Sequence, residues 1–341
     1  LCEKSGCFPY VCFLLLLFED TLLEGHKDNG AELRIDGVRR RALKVDRVGR
    51  LEMKICRFGD GRIGAVTGSR LSDITEMIAP LLNLSAVGDP LVSALPRILA
   101  LPPEALSSAP TFDLDQVRLG PPVLRPGKIM AAPVNYQSHI AEMTDTATNF
   151  GHTENDIAKA GLFLKATSSL AGPSKKLLLR FPERRTDYEV ELVAVIGDTV
   201  TDVSEDHALK HISGYTLGLD ITLRGPEDRS FRKSIDGYSI IGPYLATAEE
   251  VPNPDDIILD LRVNGEKRQF ANTADMIYGV AKLVSFASKF YTLHPGDLIF
   301  TGTPSGVGPV VPGDRIVAGA TGLGALEIEV DIHKDAGRCE H

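Results

Sequence analysis

Cysteine is scarce in this chain and stands in the wrong places for a covalent framework. Of five cysteines, Cys2, Cys7 and Cys12 crowd the first dozen residues, Cys56 follows, Cys339 lies near the other end, and residues 57–338 contain none. No C-x-x-C pair occurs, and the evenly spaced first three have no nearby histidine to complete a zinc site. These absences exclude a disulfide scaffold and make a reducing cytoplasm the expected setting. Long apolar runs are missing too. The one membrane-like stretch, "FPYVCFLLLLF" at residues 8–18, is eleven residues long, short of the about 20 that a spanning helix needs. It carries neither a basic leading region nor an A-x-A-like cleavage site, which argues against a signal peptide. Nor is there an excess of positive charge. With 37 Lys and Arg against 46 Asp and Glu, the formal charge is −9, which argues against affinity for nucleic acid or an anionic membrane. The run Arg39–Arg41 reads as a solvated stretch. Also absent are a G-x-S-x-G nucleophile elbow and a P-loop, which disfavours a serine hydrolase and leaves no P-loop phosphate site.

What is present is a soluble composition, 43% hydrophobic and 24% charged over 341 residues, long enough for one large or two moderate domains with a real core. Residues 1–52 are expected to be an extension that contributes nothing to the fold. From Met53, "MKICRFGDGRIGAVTG" gives two short strands around a glycine turn. Gly59, Gly61 and Gly64 match G-x-G-x-x-G, but a dinucleotide fingerprint needs a helix opening at the glycines, and "RIGAVTG" has a strand pattern. "SDITEMIAPLL" follows as a helix capped by Ser72 or Asp73. Proline-rich residues 102–127 read as a linker, so a small α/β domain is expected over 53–120 and the main domain over 121–341. Beyond the linker strands dominate, Asn264-Gly265 signals a hairpin, and one substantial helix falls around "MIYGVAKLVSFASKFY". Helices do not alternate with strands, so the expected class is α+β with a mixed, mostly antiparallel sheet.

The chemistry concentrates in a few places. "DYEVELVAVIG" reads as a buried strand, yet Glu189 and Glu191 stand two apart and share a face. Two carboxylates about 4 Å apart repel by roughly 4 kcal/mol at an effective dielectric near 20. Either the strand is an edge with one wet face, or a divalent cation lies between the acids. Val193 and Val195 continue the same face, so the polar patch is local. Asp220, at the end of the apolar "GYTLGLDIT", is either a solvated strand-end residue or the third carboxylate of a hard-metal site suited to Lewis-acid work. His139 and Glu142 in "NYQSHIAEM" are spaced i and i+3. On a helix they touch, and the carboxylate would raise the basicity of the imidazole, making a candidate general base. Lys233 in "FRKSIDGYSIIG" is solvated or neutralises an oxyanion, and Lys165 has a similar setting at a strand end. The glycine-rich "FTGTPSGVG" offers backbone N–H groups to an anion or is only a turn.

In order and spacing, "NYQSHIAEM", "FLKATSSLAGP", "DYEVELVAVIG", "GYTLGLDITLRGPEDRSFRKSIDGY" and "FTGTPSGVG" resemble the fumarylacetoacetate hydrolase family, bacterial branch, over about residues 128–330. The resemblance implies a β-roll catalytic domain in a cytoplasmic homodimer that binds Mg2+ or Mn2+. It implies Glu189, Glu191 and Asp220 as metal ligands, His139 and Glu142 as a water-activating dyad, and Lys233 at the substrate. Tyr136, Arg224 and Thr303 are implied at the substrate as well. The family's aspartate after the arginine is replaced by Gly225 here, and the fourth metal carboxylate of the eukaryotic fumarylacetoacetases has no counterpart in "AAPVNY". The implied reaction is metal-dependent hydrolysis of a C–C bond in an acylpyruvate-type 2-oxo acid. Decarboxylation or isomerisation of a related diacid is the rival on the same scaffold, and a non-catalytic small-acid binder is the reading from another class.

Overall fold

The computed structural model describes residues 53–138, 156–334 and 336, together with the backbone of residues 32–35 and 38–41. The chain divides into two compact units, residues 1–42 and 43–341. In the first, Glu32–Ile35 pairs antiparallel with Val38–Arg41. The rest of the extension expected at residues 1–52 lies outside the described residues.

The second unit is built on sheets that stay open. Among the described residues the largest has twelve strands. From one edge the order runs Thr111–Asp113, Arg70–Asp73, Arg62–Thr67, Lys54–Phe58, Ser239–Thr247, Ile212–Asp220, Val190–Ile196, Leu298–Phe300, Ile129–Ala131 and Phe163–Lys165. Leu119–Gly120 adds to Lys54–Phe58, and Leu170–Ala171 adds to Ser239–Thr247. Most pairings are antiparallel; Leu298–Phe300 with Ile129–Ala131 is one of the parallel exceptions. A five-stranded sheet carries Ile258–Val263 and Glu266–Asn272, joined through Asn264 and Gly265, both at positive φ as a two-residue hairpin turn requires. A three-stranded sheet sets Thr186–Tyr188 between Thr222–Leu223 and Gly308–Val310. The mixed, mainly antiparallel α+β class is thus observed.

The glycines of "CRFGDGRIG" do form a hairpin, Lys54–Phe58 against Arg62–Thr67. That hairpin joins the large sheet through Ile55 and Leu245, so residues on both sides of position 120 share one sheet. The helix expected in "SDITEMIAPLL" is short. Ser72 and Asp73 belong to a strand, the α-helix covers only Thr75–Ile78, and Pro80 ends its ladder in a 3-10 turn, Ala79–Leu81. Asp73 still accepts from the Thr75 N–H at 3.1 Å. A longer helix, Pro90–Leu99, starts on the Asp89 carboxylate, which accepts from the N–H groups of Leu91 and Val92. The helix expected near residue 285 spans Val280–Phe290 and buries Val280, Leu283, Val284 and Ala287.

The segment "DYEVELVAVIG" is not one strand. It breaks at Glu189, passing from the three-stranded sheet to the twelve-stranded one. Val190–Ile196 is an inner strand, flanked by Ile212–Asp220 and Leu298–Phe300. Val190, Leu192, Ala194 and Ile196 face one core cluster, while Val193 and Val195 face another. Both faces are therefore covered, as expected of a near-continuous apolar run, and the wet-edge reading of the glutamates falls away.

Packing here leaves no room at Gly218, opposite Glu191 in the register. A Cβ at that position would lie 2.5 Å from Val193 Cγ2 and 2.7 Å from Phe300 Cε1. Gly218→Ala should therefore cost ~1–3 kcal/mol by overpacking. The cost would be read as a lower urea midpoint at unchanged slope, and an unmoved midpoint would refute the contact.

Candidate active site

The break at Glu189 is what gathers the acids. Glu189 sits at the corner between two sheets, Glu191 is the second residue of the inner strand, and Asp220 ends the neighbouring strand. The register brings them together: Val190 lies opposite Leu219, and the Asp220 N–H donates to the Glu189 carbonyl at 2.9 Å. One carboxylate oxygen from each of Glu189, Glu191 and Asp220 lies within 4.8 Å of the others, and all three residues are buried.

Cations from several segments offset that charge. Lys233 donates to Glu189 at 2.6 Å and to Asp220 at 2.7 Å. Lys165 is fully buried, donating to Asp220 and, at 3.1 Å, to the Tyr238 carbonyl. Burial pulls its ammonium below the ordinary lysine range against the attraction of Asp220. Arg224 clasps two acids, with Nε on Asp187 at 2.7 Å and a terminal nitrogen on Glu189 at 3.0 Å. Arg185 completes the chain on the other oxygen of Asp187 at 2.8 Å. Glu191 has no such cation in contact among the described residues; its partner is the Gly302 N–H at 2.7 Å. Burial first, and then the charge of Asp220, hold its carboxyl well above the usual range. The glycine loop thus does offer an N–H to an anion, and that anion is the chain's own.

Three buried acids, one short of positive partners, form an oxygen-only donor set of the kind that hard divalent cations take. The residues present fit such an ion.

Other expected residues fall around this centre. Tyr136 is fully buried, its hydroxyl has no hydrogen-bond partner among the described residues, and burial and then Glu191 raise its pKa. Asn135 beside it donates to the Thr301 and Tyr278 carbonyls and accepts from the Tyr278 N–H, tying this segment to the glycine loop. The Thr303 hydroxyl donates to the Val190 carbonyl at 2.9 Å and accepts from Gln269 at 2.9 Å. His139 and Glu142 lie outside the described residues. Gly225 is explained by crowding: a Cβ there would be 2.1 Å from a terminal nitrogen of Arg184, which pairs with Glu227 at 2.8 Å.

Sequence reasoning missed Asp187, Arg185 and Gln269. Gln269 is buried on the edge strand of the five-stranded sheet. Its amide accepts from the Val190 N–H at 3.0 Å and donates to Thr303 and to the Pro304 carbonyl at 2.8 Å. It therefore fixes the residue between the two glutamates. A lone glutamine in "EKRQFAN" carries no pattern that announces this.

A model of the fumarylacetoacetate (FAA) hydrolase C-terminal family matches residues 128–331. The maleylpyruvate hydrolase of Aquipseudomonas alcaligenes is 48% identical over 284 residues, covering 82% of this chain and 99% of that protein. A 2,4-didehydro-3-deoxy-L-rhamnonate hydrolase of Sphingomonas sp. (strain SKA58) is 36% identical, covering 75% of this chain and 85% of its own. Among solved structures, the maleylpyruvate hydrolase of Sphingobium sp. SYK-6 in complex with manganese (II) and pyruvate superposes with a TM-score of 0.71. It is 33% identical and covers 83% of this chain and all of that one. The chain belongs to the fumarylacetoacetate hydrolase family.

Replacing Gln269 by Leu leaves the Val190 N–H and the Thr303 hydroxyl short of partners, each worth about 1–3 kcal/mol when buried. Gln269→Leu should lower the urea midpoint correspondingly. Equal midpoints for Gln269→Leu and the parent would discount the clamp.

Proposed function

We propose that this protein is a divalent-metal-dependent hydrolase that cleaves a C–C bond in an acylpyruvate-type 2-oxo acid. The observation that carries the reading is the convergence of Glu189, Glu191 and Asp220 in a buried setting. The 48% identity to a maleylpyruvate hydrolase supports it independently.

In this reading Glu189, Glu191 and Asp220 would hold Mg2+ or Mn2+, which supplies Lewis-acid stabilisation where negative charge develops. His139, oriented by Glu142, takes a proton from water, and the water oxygen attacks the distal carbonyl carbon. The bond between that carbon and the methylene carbon of the pyruvate portion then breaks, and its electron pair passes into the pyruvate portion as an enolate. The Lys233 ammonium, held at the edge of the triad by Glu189 and Asp220, opposes that charge. Reprotonation at carbon gives pyruvate and a carboxylic acid. Thr303 and Tyr136 flank the triad, Thr303 fixing the residue between the two glutamates.

The deciding experiment incubates the protein and Mn2+ or Mg2+ with acylpyruvates, oxaloacetate and hydroxy-dienoate diacids, and identifies products. Stoichiometric pyruvate and a carboxylic acid from an acylpyruvate are expected. Release of CO2 from oxaloacetate alone, or a double-bond shift without cleavage, would overturn hydrolysis in favour of a decarboxylase or isomerase. His139→Ala should abolish turnover while leaving Mn2+ affinity nearly intact. Manganese at 100-fold over its Kd should also stabilise the parent protein by about 2.7 kcal/mol. Glu191→Gln should lose that thermal shift; a shift retained in full would mean the ion binds elsewhere.

A further inference from the structure

Asn135 is fully buried and turns its whole side chain on backbone groups. Its Oδ1 accepts from the Tyr278 N–H at 2.8 Å, while Nδ2 donates to the Tyr278 carbonyl and to the Thr301 carbonyl, each at 2.8 Å. These partners fix which way the amide points, because an N–H has to meet its oxygen and two carbonyls have to meet its nitrogen. The Asn135 carbonyl also accepts from the Ile277 N–H at 2.8 Å. Asn135 is therefore braced on residues 277 and 278, and one side-chain hydrogen reaches across to the glycine loop.

That hydrogen meets the peptide unit that serves the triad. The Thr301 carbonyl and the Gly302 N–H belong to one planar trans peptide and point in opposite directions. Asn135 holds the carbonyl end, and the N–H end donates to Glu191 Oε2 at 2.7 Å. Thr301 is anchored on its other side, where its N–H and its hydroxyl both donate to the Leu192 carbonyl, at 3.1 and 2.9 Å. Neither of those bonds sets the direction of the peptide that follows. Nor does the backbone of Gly302, which stands at φ +95° and, as glycine, accepts either sign of φ. Turned over, the same unit would set a carbonyl oxygen against the Glu191 carboxylate. The bond from Asn135 opposes that turn. Packing is matched to it, since a Cβ at position 302 would lie 2.8 Å from the Asn135 Cβ.

We propose that Asn135 is a positioning residue for the metal centre: through the Thr301–Gly302 peptide it aims the N–H that fixes the Glu191 carboxylate for a divalent cation. This deepens, and rests on, the metal-dependent reading. Asn135 acts through one peptide group and touches neither ion nor substrate. Asparagine suits the task where an ionised aspartate does not, because a carboxylate has no hydrogen for either carbonyl.

Calorimetric titration of the full chain with Mn2+, well below its melting temperature, reads the effect without turnover. Asn135→Ala should bind Mn2+ about 10-fold more weakly than the parent, as when a group that orients a metal ligand is lost. Ser288→Ala is the control for a purely structural loss. Its buried hydroxyl accepts from the Val203 N–H at 3.0 Å and donates to the Ser285 carbonyl at 2.9 Å, on the helix Val280–Phe290. That variant should lower the urea midpoint and keep the parent's Mn2+ affinity. Parent affinity in Asn135→Ala, or an equal loss in Ser288→Ala, would overturn the proposal. Asn135→Asp keeps the volume and the acceptor for Tyr278, and decides the matter if Asn135→Ala does not fold. An acid added one peptide away from Glu191 would by itself tighten Mn2+ binding, so weaker binding there marks the lost donor, and equal or tighter binding counts against it. A parent that binds no Mn2+ would sink the metal reading and this proposal together, whereas a parent that binds beside unaltered Asn135 variants sinks the proposal alone.

Discussion

The mutual repulsion of buried carboxylates is the constraint around which this molecule is arranged. Asp187, Glu189, Glu191 and Asp220 all lie out of water within two neighbouring segments. At an effective dielectric near 20, each pair at about 4 Å opposes folding by roughly 4 kcal/mol. No apolar contact removes a term of that size; opposite charge, hydrogen bonds to the carboxylates or their protonation do. Hence the number of separate segments that must arrive at one place: Lys165 from one strand end, Arg224 and Lys233 from the loop and helix after Asp220, and the Gly302 N–H from the glycine loop.

The framework supplies the rigidity this requires. Val190 is held on both sides, by Thr303 on its carbonyl and Gln269 on its N–H, so the glutamates flanking it cannot relax apart. Three sheets meet there. Thr186–Tyr188 belongs to the three-stranded sheet, Val190–Ile196 to the twelve-stranded one, and Gln269 to the five-stranded one. Even so the charges are not fully compensated, as the raised Glu191 carboxyl shows. Local rules of polar burial tend to be broken at functional sites and compensated elsewhere. Here the compensation is the dry, two-sided core around Leu192, Val193 and Phe300.

Much of this was legible in the sequence, and for identifiable reasons. Strand periodicity and the turn residues Asn264-Gly265 located the hairpins, because both signals are local. The acids Glu189, Glu191 and Asp220 stood out because charge in an apolar strand is costly and therefore informative. The break of "DYEVELVAVIG" at Glu189 was not legible, since a strand that changes sheets keeps its alternation on both sides of the corner. Pairings such as Leu245 with Ile55 depend on contacts across nearly two hundred residues and leave no local trace. Gln269 escaped for a different reason. A single polar residue in a polar neighbourhood looks solvated until the fold shows that it is buried.

Gly225 shows how the two kinds of information combine. The resemblance leads one to expect an aspartate there, and the sequence has glycine. In the structure that volume belongs to Arg184, whose guanidinium bridges Glu227 and also donates to the Arg224 carbonyl at 3.0 Å. The ion pair therefore fixes the backbone from which Arg224 reaches Asp187 and Glu189. An acid restored at 225 would meet Arg184 at 2.1 Å from its own Cβ and displace that support. Glycine at 225 is thus what lets the Arg184–Glu227 pair stand where it does.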